Sequence, residues 1–401
     1  MLKKSFARYV DSFTGFSREI WILAIMTFIN RAGTMVLPFL SKYLKEDLHF
    51  SYQEVGWVMV FFGLGSMLGS WLGGKLSDKA GFYKVMVFSL LTSGILLVLV
   101  QFVTSFKGLC LAMFGIMAVA DMFRPAMYVS LGAYARPENR TRALTLVRLA
   151  INLGFASGPA LGGLIIMGIG YKGLFWVDGA TCVIAILIFA LLIKEKKKAP
   201  HENRESHQEA AARSVFKDSP FWIFLFGSYV TALIFFQLFT TLPLYHSEWY
   251  HITEFQTGLL MSLNGLIIFF LEMPAVAYLE RKKANLLKII FWGTFLFSLG
   301  FFVLVFNSWP GILIVSMIFI TFGEMLNFPF SNTFAISRAP KGHEGRYMAL
   351  FTMSFSLAHI TSAKLGMEVI SRFGYQANWI LMGSLGLISC FSLLCLKKML
   401  Q

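Results

Sequence analysis

Charge is scarce in this chain. Of its 401 residues only 14% are Asp, Glu, Lys or Arg, and the acids number just 21. A soluble chain of this length carries about 25% charged residues to coat its surface, so an ordinary water-soluble globule is excluded. Cysteine is scarcer still. Cys110, Cys182, Cys390 and Cys395 sit in or near apolar runs, without the spacing of metal ligands or of a disulfide framework. No phosphate-cradling glycine loop and no nucleophile constellation occurs. An enzyme is therefore not expected, nor a cofactor or metal. The start, "MLKKSFARYVDSFTGFSREIW", has no small-residue cleavage site, and the apolar run that follows is too long for a signal-peptide core.

What is abundant is apolar. Hydrophobic residues make up 57%, Phe alone numbers 42, and the mean hydropathy is +0.67. This is the composition of an integral membrane protein in a lipid bilayer. A crossing needs roughly 20 mostly apolar residues, and twelve such runs can be read along the chain. The first six fall near 20–44, 52–75, 83–104, 108–134, 143–168 and 173–193. The second six fall near 219–245, 254–279, 285–306, 309–337, 345–371 and 375–396. Between the sets lies the only long polar stretch, "KEKKKAPHENRESHQEAAARS". The expected organisation is thus two six-helix halves, 1–193 and 219–401, joined by a cytoplasmic linker, 194–218.

Basic residues orient the chain. Of 35 Lys and Arg, 26 lie at the termini or in even-numbered loops and only 5 in odd-numbered ones. Because Lys and Arg accumulate on the cytoplasmic side, both termini are expected there, in a bacterial inner (plasma) membrane. The net charge of +14 is then a record of topology, and no nucleic-acid partner is expected. A monomer is expected.

The remaining four basic residues, Arg31, Arg124, Arg148 and Lys364, lie inside spans, as do Asp121, Glu272 and Glu324. A charge at bilayer depth costs about 2.5–3.5 kcal/mol even on the lenient insertion scale, so such residues face the bundle interior and mark functional positions. Buried ion pairing or snorkelling is the plainer explanation, and it weighs most for Arg148 and Glu272. In "AVADMFRPAMY", Asp121 and Arg124 stand three residues apart, on one helical face, where they can interact.

The chain also repeats itself. A shift of 203 residues lays Asp121-Met122 over Glu324-Met325, Arg124 over Asn327 and Pro137 over Pro340. A shift of 202 lays Gly56, Met59 and Gly63 over Gly258, Met261 and Gly265, and Asp78-Lys79 over Glu280-Arg281. Two parallel repeats about an axis along the membrane normal form a known transporter plan, with substrate near the midplane between them. Asp121 and Glu324 become pseudo-equivalent carboxylates.

Two motifs carry a family resemblance. After the second run, "GGKLSDKAGFYKV" supplies Gly74, Leu76, Ser77, Asp78, Lys79, Gly81 and Lys84; within the fifth, "GFASGPALGG" supplies Gly154, Gly158, Pro159, Gly162 and Gly163. The first resembles the loop signature between helices two and three of the major facilitator superfamily. The second is similar to the G-x-x-x-G-P-x-x-G-G pattern of that superfamily's drug and metabolite antiporters. Phe82-Tyr83 depart from the first pattern by thinning its cationic cluster. The resemblance implies an all-α membrane protein, twelve transmembrane helices in two pseudo-symmetric six-helix bundles. It also implies that the Asp78 loop acts as a gating latch. Gly74 is expected to let helices approach closely, Gly81 to permit a tight turn, and Pro159 to kink its helix. "FINRAG" also resembles, more distantly, the E-R-x-x-x-x-G region of proton-coupled oligopeptide transporters, with Asn30 where the Glu belongs.

The expected function is proton-coupled transport of a small-molecule substrate by alternating access. Burial favours the protonated form of a carboxylate and a nearby guanidinium the ionised form, so a carboxylate whose surroundings change can load and release a proton. Asp121 or Glu324 is the expected proton carrier. Arg31 and Arg124 are expected to tune it or hold an anionic part of the substrate. Asn30, Arg148, Glu272, Asn327, His359 and Lys364 are secondary candidates. His359 can titrate near neutral pH, although a hydrogen-bonded interface histidine explains it equally well. The fifth-span motif favours an antiporter exporting drugs, peptides or metabolites. Uptake of peptides or another charged nutrient by a symporter is the alternative.

Overall fold

The structure is a computed structural model, and it describes residues 16–33, 35–135, 140–195, 215–306, 309–339 and 344–400. Most of the linker and both Pro137 and Pro340 lie outside the described residues, as does the side chain of Asp78. Among the described residues all regular structure is helical. Fourteen α-helices follow in order: α1 Arg18–Gly33, α2 Val36–Lys42, α3 Tyr52–Lys79, α4 Phe82–Val100, α5 Phe106–Ala120, α6 Phe123–Tyr134, α7 Arg140–Ile169, α8 Tyr171–Leu192, α9 Ser219–Thr240, α10 Leu242–Glu248, α11 Glu254–Arg281, α12 Leu286–Val303, α13 Ile312–Arg338 and α14 Glu344–Met399. A short π-helical turn, Tyr43–Asp47, continues α2.

Among the described residues, eleven helices are long and apolar enough to cross a membrane, against the twelve runs expected. The difference lies in α14, which contains both of the last two expected runs. Its 56 residues would extend about 84 Å as one straight helix, well beyond one bilayer. The backbone is non-helical at Gly374 (φ 80°, ψ 178°), between the two runs. Gly170, between the fifth and sixth runs, takes nearly the same geometry (φ 77°, ψ 179°). Left-handed φ favours glycine at both corners, and their separation is close to the sequence repeat.

Three of the expected runs are interrupted, the seventh at Thr241 between α9 and α10, where Pro243 stands second in α10. The first breaks between α1 and α2, where Pro38, third in α2, cannot donate into a continuous ladder. The fourth breaks at Asp121-Met122. Pro125 lacks the N–H that would bond the Asp121 carbonyl four residues earlier, so α5 ends at Ala120 and α6 starts at Phe123. The rare carboxylate therefore sits at a break that its own proline creates. By contrast, α7 runs unbroken past Pro159.

The chain divides into two compact units, one comprising Met1–Leu37 and Leu64–Ala199, the other Pro38–Gly63 and Pro200–Gln401. A cut at the linker alone would leave residues 38–63 with the first. They belong with the second because they bond to it: Ser41 Oγ donates to the Thr240 carbonyl at 2.8 Å, and Lys42 Nζ lies 2.9 Å from Glu254 Oε1.

In the first unit, α1, α4, α6, α7 and α8 bury one apolar cluster that includes Leu23, Met86, Met127, Val147 and Phe189. Glycines set the approach of α3 to the fourth span. A methyl built on Gly69 would fall 2.5 Å from the Ala118 carbonyl oxygen, one on Gly73 2.5 Å from that of Met122, and one on Gly65 against that of Phe114. Gly74, expected to provide the close approach, has nothing within 4 Å of such a methyl. The stripe of every fourth residue runs through Gly73, which turns Gly74 to another face. In the second unit, α9, α12, α13 and α14 bury Phe221, Phe224, Ile290, Phe334, Phe351 and Leu396. Large apolar side chains such as Phe102, Leu191 and Phe391 stay exposed, the outward surface a bilayer requires.

Candidate functional site

Each unit contains its own polar cluster at span depth. In the first unit the break in the fourth span presents the Asp121 carboxylate, which is buried. Ser66 on α3 donates its hydroxyl to Asp121 Oδ2. Arg124 Nη2 stands 3.7 Å from Asp121 Oδ1, and its side chain is about half exposed at 51%. That geometry makes Arg124 a loose partner with guanidinium donors to spare.

Arg31 is the second cation of this cluster. Its guanidinium lies over the Phe155 ring at 5.6 Å from the centroid, and its charge acts on Arg124, Asp121 and Tyr128. Its Nε is buried without a hydrogen-bond partner. Two glycines bring α7 against the α1 end that carries it: a methyl on Gly154 would lie 2.5 Å from Arg31 Cβ, and one on Gly158 3.1 Å from the Ala32 carbonyl oxygen. In this structure the glycine-proline motif thus packs the helix that presents Arg31. Gly162 and Gly163 are buried further along α7, and Arg148 stands exposed on it. Asn30 points elsewhere, donating to Cys182 Sγ at 3.5 Å.

The second unit repeats the theme without arginine. Asn264 on α11 donates from Nδ2 to Glu324 Oε2 at 3.1 Å and to Thr321 Oγ1 at 3.0 Å. Glu272, buried two turns further along α11, is near enough for its charge to act on Glu324. Asn327, matched by the repeat to Arg124, instead bridges to α12: its Nδ2 donates to Thr294 Oγ1 at 2.9 Å, and its Oδ1 accepts from Ser331 at 3.1 Å. It is a satisfied interface residue.

His359 lies between the rings of Phe236, at 4.5 Å, and Phe62, at 5.5 Å. Lys364 pairs with Glu368 at 3.2 Å, one turn along α14, and sits 5.0 Å from the Trp57 ring centroid. In the loop motif, Gly81 takes φ 91°, and Lys79 and Lys84 are exposed.

Four polar residues whose contacts the structure shows escaped the sequence reading. Asp178 and Glu368 are acids within expected runs, close to their ends, where a charge looks like a loop residue. Ser66 and Asn264 carry no charge and stand out only once α3 and α11 are known to face the acids. Among the described residues no group of His, Cys, Asp and Glu is placed to hold a metal ion.

Chemically, each cluster offers a carboxylate steadied by one neutral donor rather than locked in a tight ion pair. Such a group can accept or release a proton without losing its neighbours. Ionisable groups within apolar helices mark functional positions such as substrate or ion pathways, and the comparisons define the class. The family model for the Major Facilitator Superfamily matches residues 23–363 and 286–399. The chain belongs to the Major Facilitator Superfamily.

Relatives agree. The chain is 25% identical over 386 residues to the uncharacterized MFS-type transporter YttB of Bacillus subtilis (strain 168), covering 96% of each. It is 26% identical over 185 residues to the quinolone resistance protein NorA of Staphylococcus aureus, 46% of this chain and 47% of that one. The fold is similar to that of a bacterial homolog of the human lysosomal transporter Spinster, with a TM-score of 0.80 at 12% identity over 95% of this chain and 96% of that one. It is equally similar to a peptide transporter POT in complex with sulfate, with a TM-score of 0.80 at 16% identity over 96% of this chain and 95% of that one. These relatives are transporters, not enzymes.

Proposed function

We propose that this chain is a proton-coupled antiporter that exports small amphipathic organic molecules. The observation that carries the reading is the matched pair of carboxylates, Asp121 held by Ser66 and Glu324 held by Asn264. Each carboxylate has an acceptor oxygen oriented by a neutral donor, and neither is closed into a tight ion pair. Protonation at one or both would exchange with substrate binding. Arg31 and Arg124 would hold an anionic part of the cargo or retune Asp121. The two halves, 1–193 and 219–401, would act as pseudo-symmetric six-helix bundles in a bacterial inner membrane, with both termini cytoplasmic. The glycine-proline packing of α7 on α1 and the partial similarity to a quinolone resistance protein support export.

Import of a charged or zwitterionic nutrient is the second reading, and the guanidiniums bear on the cargo in either direction. Two guanidiniums near one carboxylate suit a zwitterion or an organic anion, including a peptide carrying a free carboxylate, better than a cationic drug. Transport in proteoliposomes under an imposed pH gradient separates these readings, with cationic drugs, dipeptides and organic anions as probes. Uphill substrate movement opposite to the proton flux supports antiport. Uphill movement in the same direction as the protons supports symport, and gradient-independent equilibration of every probe refutes coupling.

A further inference from the structure

Asp178 is buried to 5% exposure on α8 and has no part in the mechanism above. It faces the break in the first span. Where α1 ends and α2 begins, backbone N–H groups lose the helical carbonyls they would otherwise meet. Met35 N–H turns back to the Gly33 carbonyl at 2.6 Å. Val36 N–H donates to Asp178 Oδ2 at 3.4 Å, and Met35 N–H is also within reach of this carboxylate.

The rest of this turn of α8 is shaped to the same break. A methyl on Gly33 would run into Thr181 Oγ1, so only glycine lets α1 end here. Thr181 Oγ1 in turn donates to the Asp178 carbonyl at 2.9 Å. Cys182 Sγ lies 3.9 Å from Asp178 Oδ1 and receives the Asn30 amide at 3.5 Å. Asn30, next to Arg31 in the chain, is thereby tied to the same carboxylate. The charge of Arg31 acts on both Asp178 and Asp121, while its Nε has no hydrogen-bond partner.

We propose that Asp178 is a positioning residue: its carboxylate takes up the backbone donors freed between α1 and α2 and so fixes where Arg31 stands relative to Asp121. An unsatisfied backbone group in hydrocarbon costs several kcal/mol, which gives a buried acceptor at this point a purpose. Its consequence for transport rests on the role given to Arg31 above; the clamp itself does not.

Amide hydrogen exchange of the full chain in lipid nanodiscs tests it without any substrate. In Asp178→Val, which keeps the shape and removes the acceptor, amides 35–37 should exchange at least tenfold faster than in the wild type. Asp178→Ser, whose oxygen is too short to reach, should do the same. Asp178→Asn keeps an acceptor in place and should stay within about threefold of the wild type. Exchange in α4 should be unchanged in all three. A folded Val or Ser variant with wild-type protection at 35–37 overturns the proposal, as does acceleration spread evenly through α4. Faster exchange at 35–37 with transport unimpaired would count against Arg31's role and leave the clamp standing.

Discussion

The amide of Asn264 donates to the carboxylate of Glu324 across 3.1 Å, from the eighth expected span to the tenth. In the first unit a side chain of the second span, Ser66, donates to Asp121 on the fourth. The repeat thus conserves which helices meet at the acid but changes the donor from hydroxyl to amide. A hydrogen bond to a charged group contributes about 1.5–3 kcal/mol, roughly a tenfold effect or more. Asn264→Leu is expected to slow gradient-driven transport in proteoliposomes about tenfold or more. Asn264→Gln, which retains the donor, should be milder. Equal rates in wild type and Asn264→Leu would remove Glu324's support from the account.

Packing of α3 on the fourth span leaves no room for side chains at Gly65, Gly69 and Gly73. Overpacking costs about 1–3 kcal/mol where neighbours can yield, and here the neighbours are backbone carbonyls. Gly69→Leu should lower the thermal midpoint of the purified chain clearly, whereas Gly74→Leu, with open space at its Cβ, should leave it nearly unchanged.

That contrast marks the limit of what the sequence discloses. The helical membrane fold follows from hydropathy, whose twelve expected runs differ from the eleven long apolar helices only in the merged α14, and Asp121 and Glu324 stand out because charge within an apolar run is rare. The choice of Gly73 over Gly74 does not follow, since helix rotation depends on the neighbour met. The helical break at Asp121 was written in Pro125 four residues on. Asn327 looked like a partner to Arg124's role, yet α12 claims its amide through Thr294. Asp178 was hidden by lying near a run's end.

At the start of α9, outside the spans, Asp218 caps the helix and receives both Arg338 Nε at 2.9 Å and Nη2 at 2.8 Å. Burial pushes its pKa up, but the Arg338 bonds, the Phe221 N–H and the Tyr347 hydroxyl outweigh it and hold the carboxyl below the usual aspartate range. A depressed folded pKa means that this contribution to stability is present above the unfolded value, about 3.9, and is lost as pH falls through the folded one. Thermal midpoints measured from pH 7 down through pH 4 and below should show this loss in the wild type. The Asp218→Asn variant should start lower at pH 7 and show a shallower decline.

Lys42 is fully buried, with Glu254 at 2.9 Å and Glu46 at 3.8 Å, whereas Glu254 keeps 21% of its side chain exposed. Removing one partner of a buried pair is costly when the charge left behind stays buried, about 3–5 kcal/mol. Glu254→Gln should therefore destabilise the chain more than Lys42→Met, since Glu254 can still reach water. Thermal unfolding of both variants checks the order, and the reverse order would contradict the burial assigned to Lys42.

The central claim is that Asp121 and Glu324 carry the coupled proton. The most direct measurement is substrate-induced proton release from the full chain in lightly buffered detergent, using a probe found active in proteoliposomes. The account predicts release by the wild type and its loss in Asp121→Asn or Glu324→Gln, with binding of the probe retained. Undiminished release from the double variant would contradict it.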